Sequence, residues 1–233
     1  IRDWITSRYL DQILQIIRLY KKDIIRIEFK IDDKNTNQNL ENTNVNENTP
    51  DRNENVSFIK DLRKNIVNYK KDRRVSLGPY ATFYFESYET MLAQVQEMLY
   101  IEKGGDEQLK DELIAYNPLI PNGKELTATL MFEIDNPVSR SAFLSKVGGI
   151  EEKVFIKING ESIKAIPEED VDRTSAEGKA SSVQFIHFKF TEEQIQKFKS
   201  DGVEVEIGID HKEYSHTTKL SASNLSSLSA DFS

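Results

Sequence analysis

The chain has 233 residues, of which 38% are hydrophobic, so it is long and apolar enough to bury one substantial core. Its 31 Lys and Arg against 39 Asp and Glu give a formal net charge of −8, which disfavours nucleic acid and anionic membranes as partners. Because the chain has no cysteine, disulfides, thiolate catalysis, Cys-ligated metals and iron–sulfur clusters are excluded. No apolar run reaches the roughly 18 residues of a membrane helix and no secretion signal is visible, so we expect a cytoplasmic protein.

The beginning of the chain divides into two segments of contrasting composition. Residues 1–31 place apolar side chains near helical spacing, from Ile5 to Tyr20, and predict an N-terminal helical segment. Residues 32–55 are dominated by Asn, Glu, Thr and Asp, and they cannot bury enough apolar surface to offset the entropy cost of ordering. We therefore predict a disordered Asn-rich insertion there and a single domain over residues 56–233.

Helical patterns predominate in the first part of this domain. Apolar side chains over 58–69 predict a helix whose basic face ends at Arg73-Arg74, and the aromatic run 81–85 predicts a strand. Ser87 is placed to cap a helix that ends near Glu102, and a second helix begins at residue 106. A strand over 125–134 follows, and then a helix that starts at Asn136-Pro137.

Strand patterns predominate after residue 149. Two apolar runs, 154–158 and 162–166, flank Asn159-Gly160 and predict a tight hairpin. Further strands are predicted over 183–190, 203–209 and 214–220, with a short helix opened by the capping box Thr191–Gln194 and another in the Ser-rich end. These elements predict an α+β fold, in which a mostly antiparallel sheet from the C-terminal half packs against helices of the N-terminal half.

Several distinctive strings are spread along residues 58–232. They are Arg73-Arg74-Val75, Gly78-Pro79, Phe83-Tyr84-Phe85-Glu86, Gln94-Val95-Gln96-Glu97-Met98, Ile101-Glu102, Tyr116-Asn117-Pro118-Leu119-Ile120-Pro121, Glu125-Leu126-Thr127-Ala128-Thr129, Gly148-Gly149-Ile150-Glu151, Asp172-Arg173-Thr174, Ser181-Ser182-Val183, His187-Phe188, Gly208 and His211. Together these strings resemble a bacterial family known only as a domain of unknown function.

The resemblance carries an implication about partners. Members of that family are often encoded beside rubrerythrin and an iron–sulfur oxidoreductase of the heterodisulfide-reductase type. The resemblance therefore implies an accessory role in peroxide or iron-linked redox defence, with these two proteins as partners. This chain departs from the family at Gln184, where the resemblance predicts His, and the departure weakens any metal site that needs that imidazole.

Three histidines are available as metal ligands. His187, His211 and His216 on adjacent strands could be metal ligands, with a carboxylate from Glu86, Glu97 or Glu102 completing a site suited to a divalent metal such as iron, manganese or zinc. The preferred set is His187, His211 and Glu97. An odd number of residues separates His211 from His216, so only a turn over 210–213 brings this pair together. The alternative is that His187 is a hydrogen-bonded core residue and that the other two histidines cap loops.

Glu97 is also the candidate catalytic residue. With Gln94 and Ile101 it lies on a helix face separate from the apolar stripe, which predicts a helix packed on two sides. A partly buried Glu97 or Glu102 would have a raised pKa and serve as a general base. The alternative is a solvated surface carboxylate, because Glu is a good helix former that is seldom fully buried.

Arginines provide a third candidate site. Arg73 and Arg74 end a basic cluster, and with Arg173 they are candidate contacts for an anion or a nucleotide through their guanidinium forks. The chain has neither Walker spacing nor a dinucleotide fingerprint, so the alternative is a solvated basic helix face.

The leading functional hypothesis is a partner-binding accessory protein of a rubrerythrin-linked redox module, which rests on the family resemblance. The alternatives are a metal-dependent enzyme using His187, His211 and Glu97, and an anion or nucleotide binder using the three arginines. A nucleophilic dyad of Ser181 or Ser182 with His187 has less support because the Gly-x-Ser-x-Gly elbow is missing. Whether the protein is an enzyme is left open by the sequence.

Overall fold

The computed structural model describes residues 65–102, 105–168 and 178–232. The predicted segments 1–31 and 32–55, and the candidate anion contact Arg173, lie outside the described residues, so these predictions stay predictions. Residues 65–71 are helical, as the apolar spacing predicts, and a short turn leads from them into the first strand.

Five antiparallel strands form the first sheet. They are β1 (Arg74–Leu77), β2 (Ala81–Phe85), β3 (Glu125–Phe132), β6 (Ile166–Pro167) and β7 (Val183–Lys189), in the order β1-β2-β3-β7-β6. The strands predicted over 81–85, 125–134 and 183–190 are confirmed to within two residues. Strand β1 has only four residues, which is too short for its alternation of exposed and buried side chains to stand out in the sequence.

Four antiparallel strands form the second sheet. They are β4 (Val154–Ile158), β5 (Glu161–Lys164), β8 (Val205–His211) and β9 (Tyr214–Lys219), in the order β5-β4-β8-β9. The predicted hairpin is confirmed, with positive φ angles of 47° at Asn159 and 87° at Gly160. The single strand predicted over 162–166 is divided, because β5 pairs with β4 whereas β6 pairs with β7 in the other sheet.

One apolar core combines side chains from both sheets. Alternate residues of β3 and β4 contribute to it, namely Leu126, Ala128, Leu130, Val154, Ile156 and Ile158, all at most 1% exposed. The α+β class is therefore confirmed. The strands form two sheets whose apolar faces share this core, where the prediction had one sheet.

Besides the helical residues 65–71, five α-helices accompany the sheets in the described residues. They are α1 (Tyr88–Glu102), α2 (Gly105–Tyr116), α3 (Pro137–Leu144), α4 (Glu192–Phe198) and α5 (Ala222–Ser229). The predicted Asn136 cap of α3 and the Thr191–Gln194 capping box of α4 are both formed. Helices α3, α4 and α5 each add buried side chains to the shared core, whereas α1 and α2 contact each other and bury Met91, Val95 and Leu109 outside it.

No helix in the described part of the chain is both long enough and apolar enough to cross a membrane.

Candidate functional site

A groove of about 490 Å³ opens where the β1–β2 turn, α3 and the β8–β9 turn come together. We call it the aromatic groove, because Tyr80, Phe143, Tyr214 and His216 line it, with Lys146 and Glu213 as its charged groups. Its size and its mixture of apolar rings with a few polar groups are typical of a binding site.

Tyr214 fixes the position of the β1–β2 turn in this groove. Its hydroxyl donates to the carbonyl oxygen of Leu77 at 2.5 Å and accepts the backbone N–H groups of Tyr80 at 3.2 Å and Ala81 at 3.0 Å. Burial raises the pKa of the Tyr214 phenol, so the hydroxyl keeps its proton at neutral pH. The side chain therefore joins the second sheet to the first and presents its ring to the groove.

Three ring pairs of the groove are packed edge to face, and Tyr80 and Tyr214 are stacked with centroids 6.3 Å apart. The Phe143 centroid lies 5.2 Å from that of Tyr80 and 5.5 Å from that of Tyr214, and the Tyr214 and His216 centroids are 4.5 Å apart. Such arrangements are the preferred geometry of aromatic pairs. Tyr80 remains 40% exposed, so the groove offers a ring that its neighbours already hold in place.

Gly78 permits the close approach of the β1–β2 turn to the groove. Its φ of 61° is in the left-handed region, and a Cβ atom there would lie 2.6 Å from Cδ2 of His216 and 2.8 Å from the Tyr214 hydroxyl. Only glycine meets both requirements. The Gly78-Pro79 pair, which the sequence marks as a break between elements, therefore shapes one wall of the groove.

Arg73, a predicted anion contact, has a different role. It is 1% exposed, and each of its five N–H donors has an acceptor within the protein. The acceptors are the carbonyl oxygens of Phe85, Glu86 and Ser227, the Tyr69 hydroxyl and the Asp231 carboxylate. We call this set the Arg73 network. Since no donor is left for an external anion, the prediction of Arg73 as an anion contact is corrected to a buried structural arginine.

Arg74 is the first residue of β1, and its side chain is exposed whereas that of Arg73 is buried. Its guanidinium lies 5.1 Å from the Tyr84 ring and its Nη2 is 3.3 Å from Oε2 of Glu133. The side chain is 50% exposed, so Arg74 keeps access to solvent. The structure thus separates Arg73 from Arg74, and the predicted joint site of these two arginines is not formed.

The predicted histidine ligands lie in different sheets. His187 is in β7, where its Nδ1 is 3.4 Å from Oε2 of Glu125, and His211 ends β8, where its Nδ1 accepts the backbone N–H of Glu213 at 3.2 Å. No group of three or more His, Asp and Glu side chains among the described residues is arranged to hold a metal ion. The structure therefore does not bring His187, His211 and Glu97 together as a ligand set.

The turn after β8 does place two histidines on one face of the second sheet. The register pairs His211 with Tyr214 and Ile209 with His216, so both histidines share the face of these partners. This is the arrangement that only a turn over 210–213 allows. His216 lines the aromatic groove.

Glu97 lies on an exposed face of α1, as does Ile101, so α1 is not packed on two sides. The buried carboxylate nearby in the chain is instead Glu86, which accepts hydroxyl hydrogen bonds from Thr90 at 2.5 Å and Thr129 at 2.7 Å. The sequence signal for it is its place directly after the aromatic strand and before the Ser87 cap. These bonds connect β2, α1 and β3.

The proposed dyad of Ser181 or Ser182 with His187 does not fit the strand geometry. Ser182 and His187 are five residues apart along extended chain, a separation of about 16 Å. Ser181 also uses its hydroxyl oxygen to accept the backbone N–H of Val183 at 3.2 Å.

Comparison with known proteins agrees with the resemblance found in the sequence. Residues 55–232 match the family described as "Protein of unknown function (DUF3501)". A crystal structure of a novel protein of unknown function from Burkholderia pseudomallei is similar, with 33% sequence identity and a TM-score of 0.70 over 78% of this chain and 94% of that one. No curated protein matches significantly. Because the family match covers most of its length, the chain belongs to the DUF3501 family.

Proposed function

We propose that this protein is a cytoplasmic accessory protein that binds a protein partner through the aromatic groove. The observation that supports this proposal is the 40% exposure of Tyr80, in a groove where neighbouring rings already hold it in position. Aromatic side chains that are fixed before binding lose little conformational entropy, and they contribute strongly at the centres of interfaces.

The choice of partner comes from the family resemblance. The resemblance implies gene neighbours that encode rubrerythrin and an iron–sulfur oxidoreductase, so we propose one of these two proteins as the partner and peroxide defence as the setting. The chain itself has no cysteine, so any Cys-ligated iron–sulfur cluster of such a module belongs to the partners.

The test is a direct binding measurement with purified proteins. The wild-type chain is immobilised, and binding of rubrerythrin and of the oxidoreductase is measured separately by biolayer interferometry. Tyr80→Ala is expected to weaken binding by at least about tenfold, because loss of a central aromatic contact commonly costs about 2 kcal/mol or more. The backbone N–H of Tyr80 that donates to Tyr214 remains in this variant.

Ile114→Ala is the matched control. Ile114 is 74% exposed on α2 and does not line the groove, so this variant also removes an exposed apolar side chain. Equal binding by the control and the wild type is expected. Absence of binding to both partners, or the same loss in Ile114→Ala as in Tyr80→Ala, contradicts the proposal.

A further inference from the structure

Two exposed charges of opposite sign belong to different walls of the aromatic groove. Lys146 follows the end of α3, and Glu213 is in the two-residue turn between β8 and β9. Both side chains are exposed, and neither forms an ion pair with another described residue.

Some exposed lysines outside the groove pair with carboxylates, whereas others, such as Lys110, Lys153 and Lys189, form no ion pair with a described residue. Three such pairs have N–O distances of 2.7 to 2.9 Å, namely Lys124–Glu192, Lys197–Glu161 and Lys219–Glu204. Lys146 and Glu213 are the cation and the anion of the groove lining, and an external ligand can contact both. A ligand that fits them carries a negative charge for Lys146 and a positive charge for Glu213.

The apolar part of the groove determines what lies between those charges. Tyr80 and Phe143 are in edge contact, with ring planes 64° apart, and Tyr214 completes this surface. An inserted aromatic ring can stack on one of these rings and meet the edge of another. The volume of about 490 Å³ exceeds that of one aromatic side chain, so a short stretch of flanking chain also fits.

We infer that the aromatic groove recognises a peptide segment of the partner in which one aromatic side chain lies between an acidic and a basic residue. This inference rests on the proposed function and specifies the chemistry of the partner. Segments with two like charges bind more weakly, because one of the charges then faces a groove residue of its own sign. A free aromatic amino acid carries the same groups, and the experiment separates it from a peptide.

The first experiment titrates the ¹⁵N-labelled full chain with capped peptides and follows backbone amide shifts. The probe is acetyl-Gly-Glu-Phe-Lys-Gly-amide, and the comparison peptides replace the charged pair by Glu and Glu, or by Lys and Lys, or replace Phe by Ala. The expected result is saturable shifts at Tyr80, Phe143 and Tyr214, with a dissociation constant in the millimolar range, weaker binding of the like-charged peptides and none for the Ala peptide.

The second experiment reverses one charge of the groove. Lys146→Glu is expected to lower the affinity for the Glu-Phe-Lys peptide by about threefold to fivefold, in keeping with the modest energy of exposed ion pairs. The same variant is expected to raise the affinity for the Lys-Phe-Lys peptide. Lys189→Glu, an exposed lysine of β7 outside the groove lining, makes the same charge change and is expected to leave both affinities unaltered. High salt should remove the effect of Lys146→Glu.

Each outcome decides between the inference and its alternatives. Equal binding of all Phe peptides, or no shift at the groove amides, overturns the inference. If free phenylalanine binds as tightly as the capped peptide, the groove is a small-molecule site and the inference is also overturned. If Tyr80→Ala weakens binding of the partner protein while the peptides show no charge preference, the proposed function stands and this inference is overturned. If groove variants leave partner binding unchanged, the proposed function fails, and the peptides still show what the groove binds.

Discussion

The Arg73 network and the aromatic groove use the same kinds of side chain in opposite ways. In the network every guanidinium donor has an internal acceptor, and the charge is buried. In the groove, Tyr80 remains partly exposed, and Lys146 and Glu213 are without an ion-pair partner among the described residues. A charged or aromatic residue therefore marks a binding site only where its interactions within the protein are incomplete. The Arg73 network holds the fold together, and the groove is the region available for binding.

Arg73→Met is expected to have the largest effect on stability among these variants, and it tests whether the Arg73 network holds the fold together. It leaves the buried Asp231 carboxylate without its cation and three carbonyl oxygens without their donors. Removing one member of a buried ion pair typically costs about 3–5 kcal/mol. The measurement is the free energy of unfolding in urea.

Arg74→Met is the matched control for that variant, because its ion pair with Glu133 is half exposed. We expect a loss below about 1 kcal/mol. Equal losses in the two variants would mean that burial of Arg73 does not matter, and the contrast between network and surface would then be lost.

Gly78→Ala tests the close approach of the β1–β2 turn to the groove residues His216 and Tyr214. Both Gly78 and Gly149 have positive φ angles, 61° and 74°, but an added Cβ meets the His216 ring only at Gly78 and nothing within 4 Å at Gly149. Gly149→Ala is expected to cost about 1 kcal/mol from backbone strain alone, and Gly78→Ala about 2–4 kcal/mol. Urea unfolding measures both. Equal costs would show that the close approach to His216 contributes nothing.

Tyr214→Phe separates the hydroxyl of the groove tyrosine from its ring. The variant leaves the Leu77 carbonyl and the Ala81 N–H without their buried partner, so we expect a loss of about 1–3 kcal/mol in unfolding free energy. Because the ring remains, binding of the Glu-Phe-Lys peptide should fall less than in Tyr80→Ala. A greater loss of binding in Tyr214→Phe would show that the position of the β1–β2 turn, and not the area of the Tyr80 ring, determines the affinity for the peptide.

Glu133→Gln is expected to have the smallest effect on the free energy of unfolding. The effect is seen as a change in the pH dependence of stability. Hydrogen bonds from Thr82 and Tyr84, with the charge of Arg74, lower the pKa of Glu133 below its ordinary value of 4.5. The ionised form is therefore favoured by folding, and its stabilisation is present above about pH 4.5 and lost as the pH falls through the lower folded-state pKa.

Because Glu133 is 41% exposed, we expect this contribution to be below about 1 kcal/mol. The measurement is the unfolding free energy of wild type and Glu133→Gln between neutral and acidic pH. The gap between the two proteins should narrow as the pH falls. A gap that does not change with pH would show that the carboxylate charge is not stabilised by its neighbours.

Local sequence signals predicted the elements of the fold well where one short segment contains the whole signal. The Asn159-Gly160 turn, the Asn136 cap and the Thr191–Gln194 capping box are all formed, since each depends on a few adjacent residues. The number of sheets was not predictable in this way. A strand pattern shows that one face is buried but does not show which other strand pairs with it. In the structure, β5 pairs with β4 in the second sheet, whereas β6 pairs with β7 in the first.

The candidate site was less predictable than the fold. The sequence suggests His216 as a metal ligand or a loop cap, whereas its ring lines the groove, and no local pattern marks Tyr80, Phe143 and Tyr214 as site residues. These residues lie far apart in the chain and become neighbours only when β9 contacts the β1–β2 turn. Pairing residues so distant in sequence requires the register and packing of two sheets.

Composition and local pattern settled the α+β class and the lack of thiol chemistry, because each follows from residue content or from short-range periodicity. Long-range packing determined which candidate side chains are buried and where the groove forms. It buried Arg73 while leaving Arg74 in solvent, exposed Glu97 while burying Glu86, and gathered four rings into a groove. The physical reason is that burial and hydrogen-bond satisfaction are properties of a side chain's neighbours in space, and neighbouring positions in the chain specify only a few of those neighbours.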